Sequence, residues 1–431
     1  MSAWPRAPIV VVLMPILWML WATDAGAQRA LTLAEAQREA RAAAPEVGEL
    51  QARLAAAEAM AAQAGRRVRD DPIVSGSIFR GELLGHPDES RWSVGIRQPV
   101  DLAGSWRPRF ASANADLARV QFDRDASLRL LDERVAAAVA DVALAQRQVA
   151  RSEELANLAR IVTEVVHRQY EVGTAPQIDA DAADLDLSGA LLTLEQMKNA
   201  LAQSRTRLAR LLGRTATDIT VDDPTESVDV PATPPDFTPL VDRDPRVRAA
   251  LSDIDAAQFE RQVFDRLARS PVTFGLDYVQ ERREIPLGSF SGSPLASGLR
   301  AKWPDSELVF NVMVPLPLFN RQLESRARAT GRVLLAEATL RRVRADVVTE
   351  LRSAWDALVA AASAQQRVSA TPAILNRDVE FVEQAVRAGL FDATTRVMML
   401  RRLEEAGRRL DLAVRDVRVA RAAWVRVSAL P

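Results

Sequence analysis

Four carboxylates, Asp179, Asp181, Asp184 and Asp186, follow closely on the pair Gly173-Thr174 in a stretch otherwise rich in Ala and Leu. Acids early in a helix complement its dipole and solvate it, which is the plain structural reading. Where copies of a chain meet around an axis, each such acid becomes a ring, and carboxylate rings select and hold cations. Catalysis has less to work with. The only histidines are His86, expected in a hairpin loop, and His167, expected on a long helix; a lone exposed histidine is usually neither a base nor a metal ligand. Cysteine is absent, which removes disulfides, thiolate metal sites and a cysteine nucleophile. No GxSxG, HExxH, phosphate-binding loop or dinucleotide fingerprint occurs. The Ser/Gly stretch 288–298 lacks the spacing of a phosphate cradle and reads as an exposed loop. Net charge is −1 with both signs interleaved, which argues against a nucleic-acid surface. The sequence therefore predicts no enzyme and no cofactor.

The elements that hold these residues are written twice. At an offset of 216, Pro99 of RQPVDLAGSW meets Pro315 of MVPLPLFNRQ, and Gly173 of YEVGTA meets Gly389 of VRAGLF. A repeat of this length is a duplicated domain-sized module. In each module a helix leads into two strands, then a very long helix, a tight turn and a returning helix. Thr32 and Glu35 have the spacing of a capping box. Hairpins are expected over 72–100, with its turn at Gly85-His86-Pro87-Asp88, and over 271–315, with a long Gly/Ser/Pro-rich connection. Phe110, Leu117, Leu131, Val135, Val142, Ala156 and Val166 mark a seam of three- and four-residue steps along one rod running from Gly104 to Val172. Thr174 and Gln177 suggest a second capping box after the turn, and Gly213 a helix-ending glycine. The helix at 46–69 and that at 175–212, stacked end to end, would match the long rod in length. Residues 214–244 read as a proline-rich connector, separating a first module at 28–213 from a second at 245–431.

The first residues carry an address. Arg6 precedes an apolar run from Ile9 to Ala22, and Ala25-Gly26-Ala27 follows, the pattern of an export signal over 1–27 cleaved before Gln28. The competing reading, an uncleaved anchor, has too short an apolar run to span comfortably. With no cysteine after the cleavage site there is no lipid-anchoring cysteine, and no later apolar run approaches twenty residues, so any span must be β. Strands of about ten residues suit a tilted crossing, and Trp92, Phe79, Tyr278 and Trp303 are available for an interfacial aromatic girdle.

These features together resemble the TolC family of outer-membrane efflux and secretion channels, over essentially the whole mature chain. The residues that carry the resemblance are QPVDLAG and the rod behind it at 98–120, VPLPLFNRQ at 314–322, and the turns YEVGT at 170–174 and AGLFDATT at 388–395. The PLPLFNR phrase looks most like the CzcC-type metal-efflux branch. The resemblance implies a mainly α fold with a small β part. Duplicated long-helix modules would form a trimeric α-helical barrel in the periplasm, and four strands per chain a 12-stranded outer-membrane β-barrel. It implies a passive duct working with a periplasmic adaptor and an inner-membrane pump, for metal ions, drugs or secreted proteins. In the family, a carboxylate six residues past the first turn glycine pairs with a basic residue of the second tip to keep the entrance shut. Asp179 matches that carboxylate, with Asp181 beside it. The second tip departs from the family pattern: the matching place holds Phe391, and the acidic ring positions hold Thr395 and Met398, leaving Arg387 or Arg396 as substitute partners. The family's tips also dock the adaptor, here Val172, Gly173 and Thr174 with Ala388, Gly389 and Leu390. The alternative class, a periplasmic coiled-coil adaptor or scaffold, would have one helical hairpin and polar strands, and the duplicated hairpins favour the channel.

Overall fold

The structure, a computed structural model, describes residues 30–66, 68, 70–83, 86–215, 219–223, 233–267, 272–286, 300–314, 322–388 and 393–428. Within these, the side chains of 81–83, 86–89, 283–286, 300–303, 382–383, 386–387, 393–397 and 400 are outside the description. The predicted signal segment 1–27 lies outside the described residues.

The first elements follow the sequence closely. Helix α1 spans Leu33–Ala43 and opens with a complete capping box: Glu35 N–H donates to Thr32 Oγ1, and Thr32 N–H donates to Glu35 Oε2 at 3.0 Å. Pro45 starts α2, Pro45–Ala64. Strands β1 (Ile73–Leu83) and β2 (His86–Val100) follow. Then α3 runs unbroken from Trp106 to Glu171, 66 residues and about 100 Å at 1.5 Å per residue. Helix α4, Gln177–Leu211, returns along it. The second set comprises α5 (Thr238–Arg243), α6 (Pro245–Leu267), β3 (Val272–Pro286), β4 (Arg300–Met313), α7 (Leu323–Arg367), α8 (Thr371–Arg387) and α9 (Ala393–Ser428).

Four differences from the sequence reading have physical causes. The second long helix is broken: α7 ends at Arg367 and α8 begins at Thr371. Pro372 has no N–H and its ring would clash one turn back, so it is tolerated only in the first turn of a new helix. Its counterpart at the repeat offset is Ala156, and there α3 continues. His86 is not in the turn but opens β2, its backbone opposite Leu83. Phe79 sits opposite Arg91, on the polar face rather than with an aromatic girdle. Finally, part of the expected connector is ordered structure: Val221 bridges Leu31, and α5 lies within it.

The two hairpins are one sheet. β2 pairs antiparallel with β3 from Ser90–Arg282 to Val100–Val272, giving the order β1-β2-β3-β4. Register sorts the side chains cleanly. Val74, Ile96, Leu276 and Phe310 form one row; Val94, Tyr278 and Leu308 the next; Ile78 and Trp92 the third, all on one face and all exposed. Trp92 and Tyr278 pack across strands with their rings tilted, centroids 5.5 Å apart. The opposite face is polar: Arg91 pairs with Glu281 at 3.1 Å, Arg97 with Asp277 at 3.8 Å, Ser77 with Ser93 at 2.8 Å, and Asn311 donates to Asp277. Gly95 lies opposite Asp277, and a Cβ there would meet its carboxylate at 1.6 Å.

Beneath the sheet the core is strung along the rods. Ala36, Ala40, Leu131, Val135, Val142, Leu208 and Leu212 join α1, α3 and the end of α4. Leu240, Val247, Val347, Leu351, Trp355 and Trp424 do the same for α5, α6, α7 and α9, with the two indoles edge-on at 5.3 Å. Gly213, at φ +69°, ends α4 against α1: a Cβ there would lie 2.5 Å from Ala43 O. Gly65 at the far end of α2 abuts Phe110 of α3. Helices α2 and α4 therefore follow one another along α3, as the matched lengths predict. The seam residues Leu131, Val135, Val142, Ala156 and Val166 are buried, and so is a second stripe, Ala136, Val139, Ala143, Leu158 and Val162. α3 carries both because α6 and α9 pack on it as well as α2 and α4.

Candidate functional site: the helical tips and the span above them

At the end of α3, Gly173 adopts φ +75° and closes a two-bond cap: its N–H donates to Tyr170 O at 2.9 Å and Thr174 N–H to Gln169 O at 2.8 Å. Nothing lies within 4 Å of a Cβ built on Gly173, and Val172 is 73% exposed, so the tip is small and bare. Thr174 does not cap α4 as its spacing suggests. Its hydroxyl donates back to Gln169 O at 2.9 Å, and α4 starts after Pro176 without a side-chain cap. The exit from α3 claims the hydroxyl before α4 can use it.

Asp179 is half-buried in the first turn of α4, and among the described residues it makes no ion pair; Asp181 is exposed. Asp184 Oδ1 pairs with His167 Nε2 at 3.0 Å, tying α4 to α3 just above the turn. Asp186 lines a groove of about 330 Å³ with Arg401 and Glu404 of α9. On the second tip, Ala388 and Met398 are exposed. Gly389 and Leu390 lie outside the described residues, as do the side chains of Arg387, Thr395 and Arg396, so no contact of Asp179 with a basic partner is part of the described structure. The two hairpins do meet above the tips: Val162 and Val166 of α3, Ala180 and Ala183 of α4, Leu375 of α8 and Leu403 of α9 form one apolar cluster. Thr163 reinforces it, donating to Ala183 O at 3.0 Å.

Further up, sequence reading missed a set of ion pairs that fasten the two halves. Arg151 Nη2 on α3 donates to Asp411 Oδ1 on α9 at 3.2 Å. Asp411 is 1% exposed. Burial pushes its carboxyl up and nearby Asp223 adds to this, while Arg151 and Arg147 pull it back only in part. Gly407, one turn before, leaves the space that Arg151 fills. Arg147 pairs with Asp223, which also holds Arg418, and Arg415 pairs with Asp141 at 2.9 Å. Around α6, Glu350 takes Arg246 at 2.8 Å and Arg426 at 3.1 Å. Burial would raise Glu350, but the two guanidiniums win and hold its carboxyl below the ordinary value. No sequence signal marks these partners, which lie as far as 274 positions apart.

Long paired rods, a bare helical tip and a sheet with one apolar and one polar face are the features on which the comparison with known proteins bears. Residues 36–214 match the family model for outer membrane efflux protein. Solved structures extend the likeness of fold to more than nine-tenths of the chain. CusC is 16% identical, with a TM-score of 0.71 over 93% of this chain and 92% of its own. The outer membrane protein VceC of Vibrio cholerae is 15% identical, TM-score 0.68, over 92% and 95%. The open state of the MtrE outer membrane channel of Neisseria gonorrhoeae is 16% identical, TM-score 0.67, over 92% and 88%. No curated protein matches in sequence. The expected fold, mainly α with a small four-stranded part, is the one observed.

Proposed function

We propose that three copies of this chain form a passive duct through the outer membrane. It would receive substrates from a periplasmic adaptor and an inner-membrane pump. The observation that carries this reading is the sheet. Its apolar side chains are exposed on one face while polar pairs fill the other, the alternation of a wall between lipid and water. β1 and β4 leave two unpaired edges, and open edges are not tolerated in lipid, so closure needs further copies. Four strands cannot enclose a pore alone. The rods, at about 100 Å, reach from the barrel far into the periplasm.

Asp179 and Asp181, with Met398, Thr395, Arg387 and Arg396, would gather around the axis as the gate. Val172, Gly173 and Thr174 with Ala388, Gly389 and Leu390 would dock the adaptor. The exposed carboxylates at the first tip favour cations as cargo, in keeping with the metal-efflux phrase PLPLFNR. Native mass spectrometry of the protein extracted from outer membranes tests the assembly. Three copies beginning at Gln28 are expected; a fully folded monomer as the stable species would overturn the reading.

A further inference from the structure

The apolar face of the sheet does not end in neutral residues. One row beyond Ile78 and Trp92, towards the β1–β2 connection, the ladder runs Arg80–Ser90–Arg282–Pro304. Side chains alternate along a strand, so Arg80 lies on the face of Ile78, and Arg282, two residues beyond Gln280, on the face of Trp92 and Tyr278. Both arginines are exposed. Among the described residues neither has a carboxylate partner, whereas Arg91 at the same height on the polar face is paired with Glu281 at 3.1 Å. One strand, β2, lies between them, two strand spacings or about 9–10 Å between backbones, and both side chains are long enough to converge on one headgroup.

This end of the sheet is the one away from the helices. The helices join at the opposite end, where Ile73, Val100 and Val272 lie. Outside a membrane-embedded sheet, the level just past the aromatic pair Trp92–Tyr278 is where lipid headgroups begin. A guanidinium on that face, with no carboxylate partner among the described residues, would meet lipid phosphate rather than a water-filled lumen, and its planar fork suits phosphate oxygens bidentately. Resting on the outer-membrane reading, we propose that Arg80 and Arg282 form a binding site for the phosphates of an anionic glycolipid in the outer leaflet. The surface combines an apolar band for acyl chains, an aromatic rim and, above it, two arginines with no carboxylate partner among the described residues. Gln98 and Phe274 at the opposite end offer no such cation on the same face.

The test uses the full-length protein in nanodiscs of phosphatidylcholine doped with lipid A, either bisphosphorylated or enzymatically dephosphorylated. Lipid retained after detergent extraction is counted by native mass spectrometry. The wild-type protein should retain the bisphosphorylated form preferentially, and Arg80→Gln and Arg282→Gln should each reduce that preference about five-fold. Arg91→Gln, which alters the paired arginine of the polar face, should leave the preference unchanged. Equal retention of the two lipids by the wild type, or an unaltered preference in the double variant, would overturn the site. Failure of the protein to insert in any of these bilayers would instead count against the channel reading itself.

Discussion

Gly407→Ala should weaken this protein, although the same change in most helices strengthens it. Gly407 lies inside α9, where alanine normally gains about 1 kcal/mol over glycine. Here a Cβ would fall 1.5 Å from Arg151 Nη1 and 2.4 Å from its Cζ, so the guanidinium must leave. Its departure strands Asp411, whose side chain is 2% exposed. Breaking a buried pair by removing one partner costs about 3–5 kcal/mol. Two features reduce that figure. Arg151 is 24% exposed and recovers hydration once displaced. Asp411, already pushed up by burial, takes a proton more readily than an ordinary carboxylate. A loss of about 2–3 kcal/mol is therefore reasonable for the pair, leaving a net destabilisation of about 1–2 kcal/mol after the helix gain. Guanidinium unfolding followed by helical circular dichroism, at fixed detergent and protein concentration, reads the difference. In an Arg151→Ala background the obstruction is gone, and the same substitution should stabilise by about 1 kcal/mol. A higher midpoint for Gly407→Ala in the otherwise unaltered protein would refute the clamp.

Gly213→Ala should cost at least about 1–2 kcal/mol, because φ is +69° and Ala43 O lies 2.5 Å from the new atom; the same unfolding measurement checks it. Glu350 has a depressed folded pKa, so its contribution is present above its ordinary value of 4.5 and lost as pH falls through the folded one. Glu350→Gln should lower stability at neutral pH and flatten the loss on acidification, seen as converging midpoints below that value. Asp411 has the opposite sign: its raised pKa makes its contribution complete below 3.8 and lost as pH rises through the folded value. Asp411→Asn should therefore gain on the unaltered protein as pH rises. Asp179→Ala should raise single-channel conductance in planar bilayers, and Asp186→Ala, two turns further from the tip, should raise it less; unchanged conductance in both would place the closure elsewhere.

Local signals in the sequence were reliable where one chemical group had one possible use. Thr32 and Glu35 had no competitor, and their reciprocal cap forms. Gly213 takes the left-handed conformation its position predicts. Thr174 had two helix ends within reach, and a capping pattern cannot say which wins; the carbonyl of Gln169 does. Pro372 was the one visible sign of the break in the second rod, yet seven-residue spacing continues across it. The pairing of β2 with β3 joins segments some 180 residues apart, and nothing in either strand names the other. A still longer separation, 260 residues, hides Arg151 from Asp411. Exposed carboxylates at the tip were legible as a cluster, but that Asp184 meets His167 across the turn was not, because the pairing depends on how α4 lies along α3.

The joined hairpins bear on inheritance as well as on architecture. With β2 and β3 already paired inside each chain, the proposed ring of three copies would need only β1 of one copy against β4 of the next. Such a contact is head-to-tail, so every copy supplies two different edges, and a single faulty edge leaves the circle open. A cell making faulty and sound chains in equal amounts would then complete only about one ring in eight, since all three members must be sound. An edge-strand lesion in this protein would thus act dominantly, silencing most of the product of an intact second copy, while a lesion on the water-exposed surface of a rod would be masked by it.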